Sequence, residues 1–244
     1  MLSTRIIGII NIFNSIAVQS INFKKYLPIG DPAIAINYLN KWGIDEIVVL
    51  DIKGSFKEKP DLFKQLNNFV KYCHVPISAG GGIKNILDIE NLIRFGADKV
   101  VINSSLHETP NLIAEGSKEF GDQAIIVSID IKKINGTYKI FSKSGQAKIN
   151  LSIPETIKIA EDNGAGEIMI NSIDNNGSKI GYDLELFKLV KQTTSLPLIG
   201  CGGVGRAKHF DSAMPIGLSG LAAGNFFHFT EHSVNILKSF LLKG

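Results

Sequence analysis

The stretches Pro76-Ile-Ser-Ala-Gly-Gly-Gly-Ile83 and Pro197-Leu-Ile-Gly-Cys-Gly-Gly-Val204 share one layout at a distance of 121 residues. Each reads as a buried strand running straight into a glycine pair. The same offset relates Gly43 to Gly164, Ile47-Val-Val-Leu-Asp51 to Ile168-Met-Ile-Asn-Ser172, and residues 96–103 to residues 217–224. A repeat of this length spans half of the 244 residues, so two related halves are expected, at about 1–122 and 123–244. Within them, short β-rich runs alternate with helical patterns. Strands are expected near 5–11, 45–51, 75–79, 98–103, 123–130, 166–172, 196–201 and 219–224. Strands alternating with helices in this way imply an α/β chain with a parallel sheet closed into a single (β/α)8 barrel over residues 1–244.

Local chemistry marks the helices. Asp31-Pro32 and Thr109-Pro110 each place an N-cap before proline at the first helical position. Ser152-Ile-Pro-Glu155 has the spacing of a capping box. Gly43, Gly96 and Gly164 follow periodic segments, as a left-handed C-cap requires. Residues 132–148, with Asn135-Gly136 at the turn, predict a β-hairpin after the fifth strand. Residues 14–30 read as a long first loop, of a length that suits a mobile lid or a plain solvated loop.

Composition narrows the function classes. A net charge of +3 gives no basis for nucleic-acid binding and fits a small anionic ligand. Cys73 precedes one strand and Cys201 ends another, which puts them at opposite ends of a barrel with no disulfide and no metal spacing. The histidines are scattered; His228 reads as a core or rim residue, and no metal or other cofactor is implied. The apolar start of the chain is short and broken by Asn11 and Asn14, so it reads as a first strand rather than a signal segment. No run reaches the ~18 apolar residues of a membrane span, and a cytoplasmic protein with no membrane partner is expected.

Two groups of residues can carry chemistry. At the C-terminal strand ends, Gly81, Gly82, Asn103 and Ser104 form one expected phosphate seat, and Gly202, Gly203, Gly224 and Asn225 a second. Glycine there lets backbone N–H groups approach an anion closely; the alternative is that these glycines only permit tight turns. Asp130 ends the fifth strand and is a candidate general acid or base, or else a structural acid bonded to neighbouring loop amides. Asp51 ends the second strand and can position a ligand or a loop. The position symmetric to Asp130 holds Asn11, which cannot exchange a proton. At the other strand ends, alternation turns Arg5, Glu46, Lys99 and Glu167 into the barrel. That neutral ring reads as a salt-bridge plug or as a gate on the barrel axis.

Taken together, Arg5-Ile-Ile, Gly30-Asp-Pro32, Leu50-Asp-Ile52, Gly80-Gly-Gly-Ile83, Gly96-Ala-Asp-Lys99, Val127-Ser-Ile-Asp130, Gly164-Ala-Gly-Glu-Ile168, Gly181-Tyr-Asp-Leu-Glu-Leu186, Cys201-Gly-Gly203 and Phe227-His-Phe229 resemble the HisF family, the cyclase subunits of imidazole glycerol phosphate synthase. The resemblance runs essentially end to end. It implies a (β/α)8 barrel in a heterodimer with a HisH-like glutaminase docked at the bottom, where Asp98 and Gln123 match interface positions. Ammonia would pass Arg5, Glu46, Lys99 and Glu167 as a gate and reach a nucleotide-derived bisphosphate at the top. The phosphorylated small molecule would sit on the glycine loops, with Gly177 beside the second seat. The catalytic end departs from the pattern: Asn11 replaces one of two expected aspartates, Gln19 an expected lysine and Asn176 an expected acid. An intact gate beside this eroded centre points to HisF-like proteins of surface-polysaccharide gene sets. In those, the barrel of a glutamine-dependent amidotransferase complex supplies ammonia to a sugar amidotransferase in lipopolysaccharide biosynthesis. Two alternatives stay open, a genuine cyclase of histidine biosynthesis and a non-catalytic phosphate-ligand scaffold.

Overall fold

In a computed structural model, residues 4–52, 66–71, 73–229 and 232–242 are described. Eight parallel strands close into a barrel. They are β1 (Arg5–Phe13), β4 (Glu46–Asp51), β5 (Ile77–Gly80), β6 (Lys99–Ile102), β7 (Ile125–Ile134), β10 (Glu167–Ser172), β11 (Leu198–Cys201) and β12 (Gly220–Ala223). β7 pairs with β10 and β12 with β1, so no barrel edge is left open. Each expected strand has its counterpart. Glu46 and Glu167, Ile77 and Leu198, and Lys99 and Gly220 open strands 121 residues apart.

The strands are apolar on both faces because both are covered. Outward residues such as Ile6, Ile10, Ile47 and Ile168 pack under the surrounding helices. Inward residues form a separate cluster of Ile7, Ile9, Val48, Val101, Ile126, Met169, Ile199, Cys201 and Ala222. The interior is therefore a packed apolar column. On β10, alternation puts polar residues at both ends: Glu167 lies below Met169 and Asn171 above it.

The helix cues hold where the backbone leaves them a free N–H. Asp31 accepts from Ala33 N at 2.8 Å at the start of helix Pro32–Lys41. Ser152 and Glu155 form the capping box of helix Ile153–Asp162. Gly43, Gly96 and Gly164 take φ of 76°, 105° and 81°. Thr109 does not cap. A short helix, Ser105–Glu108, precedes it, Thr109 closes that helix, and the next helix begins at Asn111.

Above the barrel, two strands outgrow the cylinder. β7 turns at Asn135-Gly136, both at positive φ, into the expected antiparallel β8 (Thr137–Ser142), which pairs with β9 (Ala147–Ile149). Residues 14–30 differ from the expected loop. They form β2 (Ile16–Ile21) and β3 (Lys25–Gly30), an antiparallel extension of β1. The cause is backbone demand: pairing of β1 with β12 stops at Gly8, so Asn11–Phe13 run on with one edge open, and β2 satisfies that edge. The turns use Asn14, Ser15, Asn22 and Phe23 at φ of 51–66° without glycine, so the sequence carries no strong hairpin signal. Among the described residues, no helix is long and apolar enough to cross a membrane.

Candidate functional site

At the bottom of the barrel the four charged residues meet. The Arg5 guanidinium donates to Glu46 at 2.5 Å and is also paired with Glu167. Lys99 lies 3.0 Å from Glu167 and 3.9 Å from Glu46. Ser78 donates to Glu46 at 2.8 Å. Both carboxylates are buried, whereas Arg5 and Lys99 keep partial access to solvent. The two glutamates hold the Arg5 pKa up against its burial. Asp98 and Gln123 are exposed at this same end, immediately before or close before β6 and β7, and the Asp98 carboxylate accepts from Ile77 N at 2.8 Å.

At the top, a cavity of about 710 Å³ opens between the strand ends and the two hairpins. That is the size of an ordinary small-molecule pocket. Asp130 lies on its floor and is 5% exposed. Its carboxylate accepts from Asn103 Nδ2 at 3.1 Å and from Asn171 Nδ2 at 3.4 Å. Burial pushes the Asp130 pKa up to about 7, and the two amide bonds oppose that shift. At neutral pH the group is thus divided between acid and base, as proton transfer requires. Asn11 lines the same floor at the matching strand register: Asn11 pairs with Leu50, and Asp130 with Asn171, 121 residues beyond Leu50.

The two glycine clusters lie where the sequence puts them. Gly81, Gly82, Asn103 and Ser104 line the large cavity, with Asp51 behind them. A Cβ on Gly81, at φ 130°, would collide with the carbonyl oxygen of Asp51. Gly177, Gly202, Gly203, Gly224 and Asn225 line an adjoining recess that Asn11 shares. This recess holds about 30 Å³, room for one water. β2 narrows it: Ser20 accepts from Asn225 Nδ2 through its carbonyl at 3.2 Å and donates to Asn176 through its hydroxyl at 2.8 Å. Gly203 has φ 99°, and a Cβ there would collide with the carbonyl of Gly181. Gly203→Ala is expected to destabilise the chain by roughly 1–3 kcal/mol and to distort the recess. Thermal denaturation beside phosphate titration of the same variant checks both effects.

Some residues of the mouth escaped the sequence reading. Asn171 is 8% exposed, and its Oδ1 has no hydrogen-bond partner. Counting two and four residues inward from Glu167 finds it. Tyr26 stacks on Phe13 with ring centroids 5.5 Å apart, and burial together with the Asp130 charge raises its pKa. Lys143, Ser144 and Gln146 reach the cavity from the turn between β8 and β9. Cys201 lies on the floor, but burial pushes its thiol up to about 12, so it is no ready nucleophile. Gln19 is buried on β2. Among the described residues, no cluster of His, Cys, Asp and Glu could hold a metal.

Fold and site define a (β/α)8 barrel with a ligand cavity at the C-terminal strand ends, with the buried carboxyl of Asp130 on its floor. Residues 5–233 match the family model described as "Histidine biosynthesis protein". The chain is 38% identical over 240 residues to "Putative imidazole glycerol phosphate synthase subunit hisF2" of Vibrio vulnificus (strain YJ016), covering 98% of this chain and 88% of that protein. It is 35% identical over 243 residues to imidazole glycerol phosphate synthase subunit HisF of Thermotoga sp. (strain RQ2), covering 100% and 96% of the two chains. The same subunit of Sulfurisphaera tokodaii is 36% identical over 243 residues, with 100% and 97% covered. The chain belongs to the HisF family of imidazole glycerol phosphate synthase subunits.

Proposed function

We propose that this chain is the ammonia-using cyclase subunit of an imidazole glycerol phosphate synthase-type complex. The observation that carries this reading is Asp130, a buried carboxyl with its pKa near neutrality on the cavity floor, opposite a charged ring at the far end of the same barrel. A HisH-like glutaminase docks over Asp98 and Gln123 and releases ammonia there. Arg5, Glu46, Lys99 and Glu167 admit it, and the apolar column carries it upward without binding it. Gly81, Gly82, Asn103 and Ser104 hold one phosphate of a nucleotide-derived bisphosphate. Gly177, Gly202, Gly203, Gly224 and Asn225 hold the other, once β2 loosens its bonds to Asn225 and Asn176. Asp130 takes a proton as base and returns it as acid. Asn11 hydrogen-bonds the ligand without exchanging protons. The complex works in the cytoplasm, in histidine biosynthesis, the process that the matched family description names.

A second reading has the barrel supply ammonia to another acceptor, such as the acetamido sugar of a sugar amidotransferase. Asn11, Gln19 and Asn176, departures from the expected cyclase residues, favour it; the names of the relatives favour the first. Complementation separates the two. A histidine auxotroph lacking its own cyclase is expected to grow when it expresses this chain with its glutaminase. Failure by well-folded, co-expressed protein would turn the assignment to the second reading.

A further inference from the structure

We infer that Lys143 is the cation of the first phosphate seat and that Glu108 holds it in reserve while the seat is empty. The inference rests on the reading of Gly81, Gly82, Asn103 and Ser104 as a phosphate seat.

That seat offers an anion backbone N–H groups and the Ser104 hydroxyl, and none of its four residues carries a positive charge. The Asn103 amide is committed to Ser128 O at 3.0 Å and to Asp130 at 3.1 Å. Asp51, Glu108 and Asp130 all line the cavity, so a phosphate dianion entering it meets carboxylates. Among the described residues, the cations in that lining are Lys84 and Lys143.

Lys143 is fixed beside the seat by its backbone. It opens the turn between β8 and β9, where Lys143, Ser144 and Gly145 take φ of 52°, 55° and 78°. The Lys143 N–H donates to Ser104 Oγ at 3.3 Å, and the Ser144 hydroxyl donates to the carbonyl of Ile52 at 3.2 Å. The turn is thus tied to the seat on one side and to the end of β4 on the other. From this anchor the flexible four-carbon stem carries the ammonium to Glu108 Oε1, at 2.9 Å. Glu108 stands one helical turn beyond Ser104, so both possible partners of the ammonium lie on one wall.

The pair is easy to exchange. Its side chains are 61% and 44% exposed, and ion pairs in that setting contribute little. A phosphate carries more charge than a carboxylate and accepts more charge-assisted hydrogen bonds. With a ligand bound, the ammonium turns from Glu108 to the phosphate. Glu108 then has two effects: it keeps the empty rim neutral, and it competes with the ligand for Lys143.

These roles predict opposite signs for the two partners. Binding of ribose 5-phosphate and of inorganic phosphate to the purified chain is measured calorimetrically at low and at physiological salt. Lys143→Asn suits the left-handed backbone, and Lys143→Met serves as a second uncharged variant. Both are expected to weaken binding about tenfold and to flatten its salt dependence. Glu108→Gln is expected to tighten binding about threefold, by freeing the lysine. The double variant Lys143→Asn/Glu108→Gln is expected to bind like Lys143→Asn alone. If both lysine variants bind within twofold of the parent, or Glu108→Gln weakens binding, the role of Lys143 is overturned and the glycine seat stands. If the parent binds neither probe, the seat itself falls, and the role of the lysine with it.

Discussion

Asp130→Asn is expected to lower ammonia-dependent turnover by about 10²–10⁴-fold with little change in ligand affinity. The substitution keeps the size of the side chain on the cavity floor and removes a carboxyl poised near neutrality. Asn11 cannot take over, because an amide does not exchange protons in this range. In the parent, with glutamine as the nitrogen source, the rate should carry a limb near pH 7 that belongs to Asp130. If the carboxylate form limits as base, the rate rises through that pH; if the acid form limits, it falls. The limb should be absent from the residual activity of the variant. Stability shifts in a defined direction too. The native state keeps a proton on Asp130 that the unfolded chain releases, between the ordinary carboxylate value of 3.8 and about 7. The contribution of this group to stability therefore declines as pH rises through that window. Asp130→Asn should flatten that decline, which denaturant midpoints measured at several pH values will show.

Arg5→Met is expected to cost about 3–5 kcal/mol of stability. Arg5 is paired with both buried glutamates, and its loss leaves Lys99 alone to serve Glu46 and Glu167. Two carboxylates in one low-dielectric ring with a single cation repel each other and lose their solvation. For a chain of this size the melting temperature should drop on the order of 10 °C. Adding Glu167→Gln should return much of that loss, because it restores neutrality. A drop under 2 °C for Arg5→Met would mean that water already solvates the ring. The same pair of variants bears on the passage. If the ring admits ammonia, both should reduce glutamine-dependent turnover more than turnover with ammonia supplied from outside.

How much of this was legible in the sequence depends on what encodes each feature. The barrel strands were readable because burial on both faces leaves continuous apolar runs, and the repeat marks their ends twice. The charged ring was readable from alternation: Arg5, Glu46, Lys99 and Glu167 each stand at a strand start with their side chains inward. The floor of the mouth was readable at Asp130 but not at Asn171, whose significance lies in a hydrogen bond to Asp130 and an unpartnered oxygen. Residues 14–30 carry the local pattern of a loop, because their strands arise from pairing with the open edge at the end of β1, a tertiary demand. Lys143 lay within the expected hairpin, yet only folding brings it to Ser104 and Glu108, about 35–40 residues away. The narrow second recess follows from contacts between β2 and the loops after β10 and β12, which no local pattern announces.

The most direct test of the central proposal is ammonia-dependent turnover of the nucleotide-derived bisphosphate by the purified chain, alone and with its glutaminase. Product is expected with external ammonia from the barrel alone and with glutamine only from the complex, and Asp130→Asn is expected to lose both. A well-folded chain that binds the bisphosphate but forms no product from it under either condition would contradict the account.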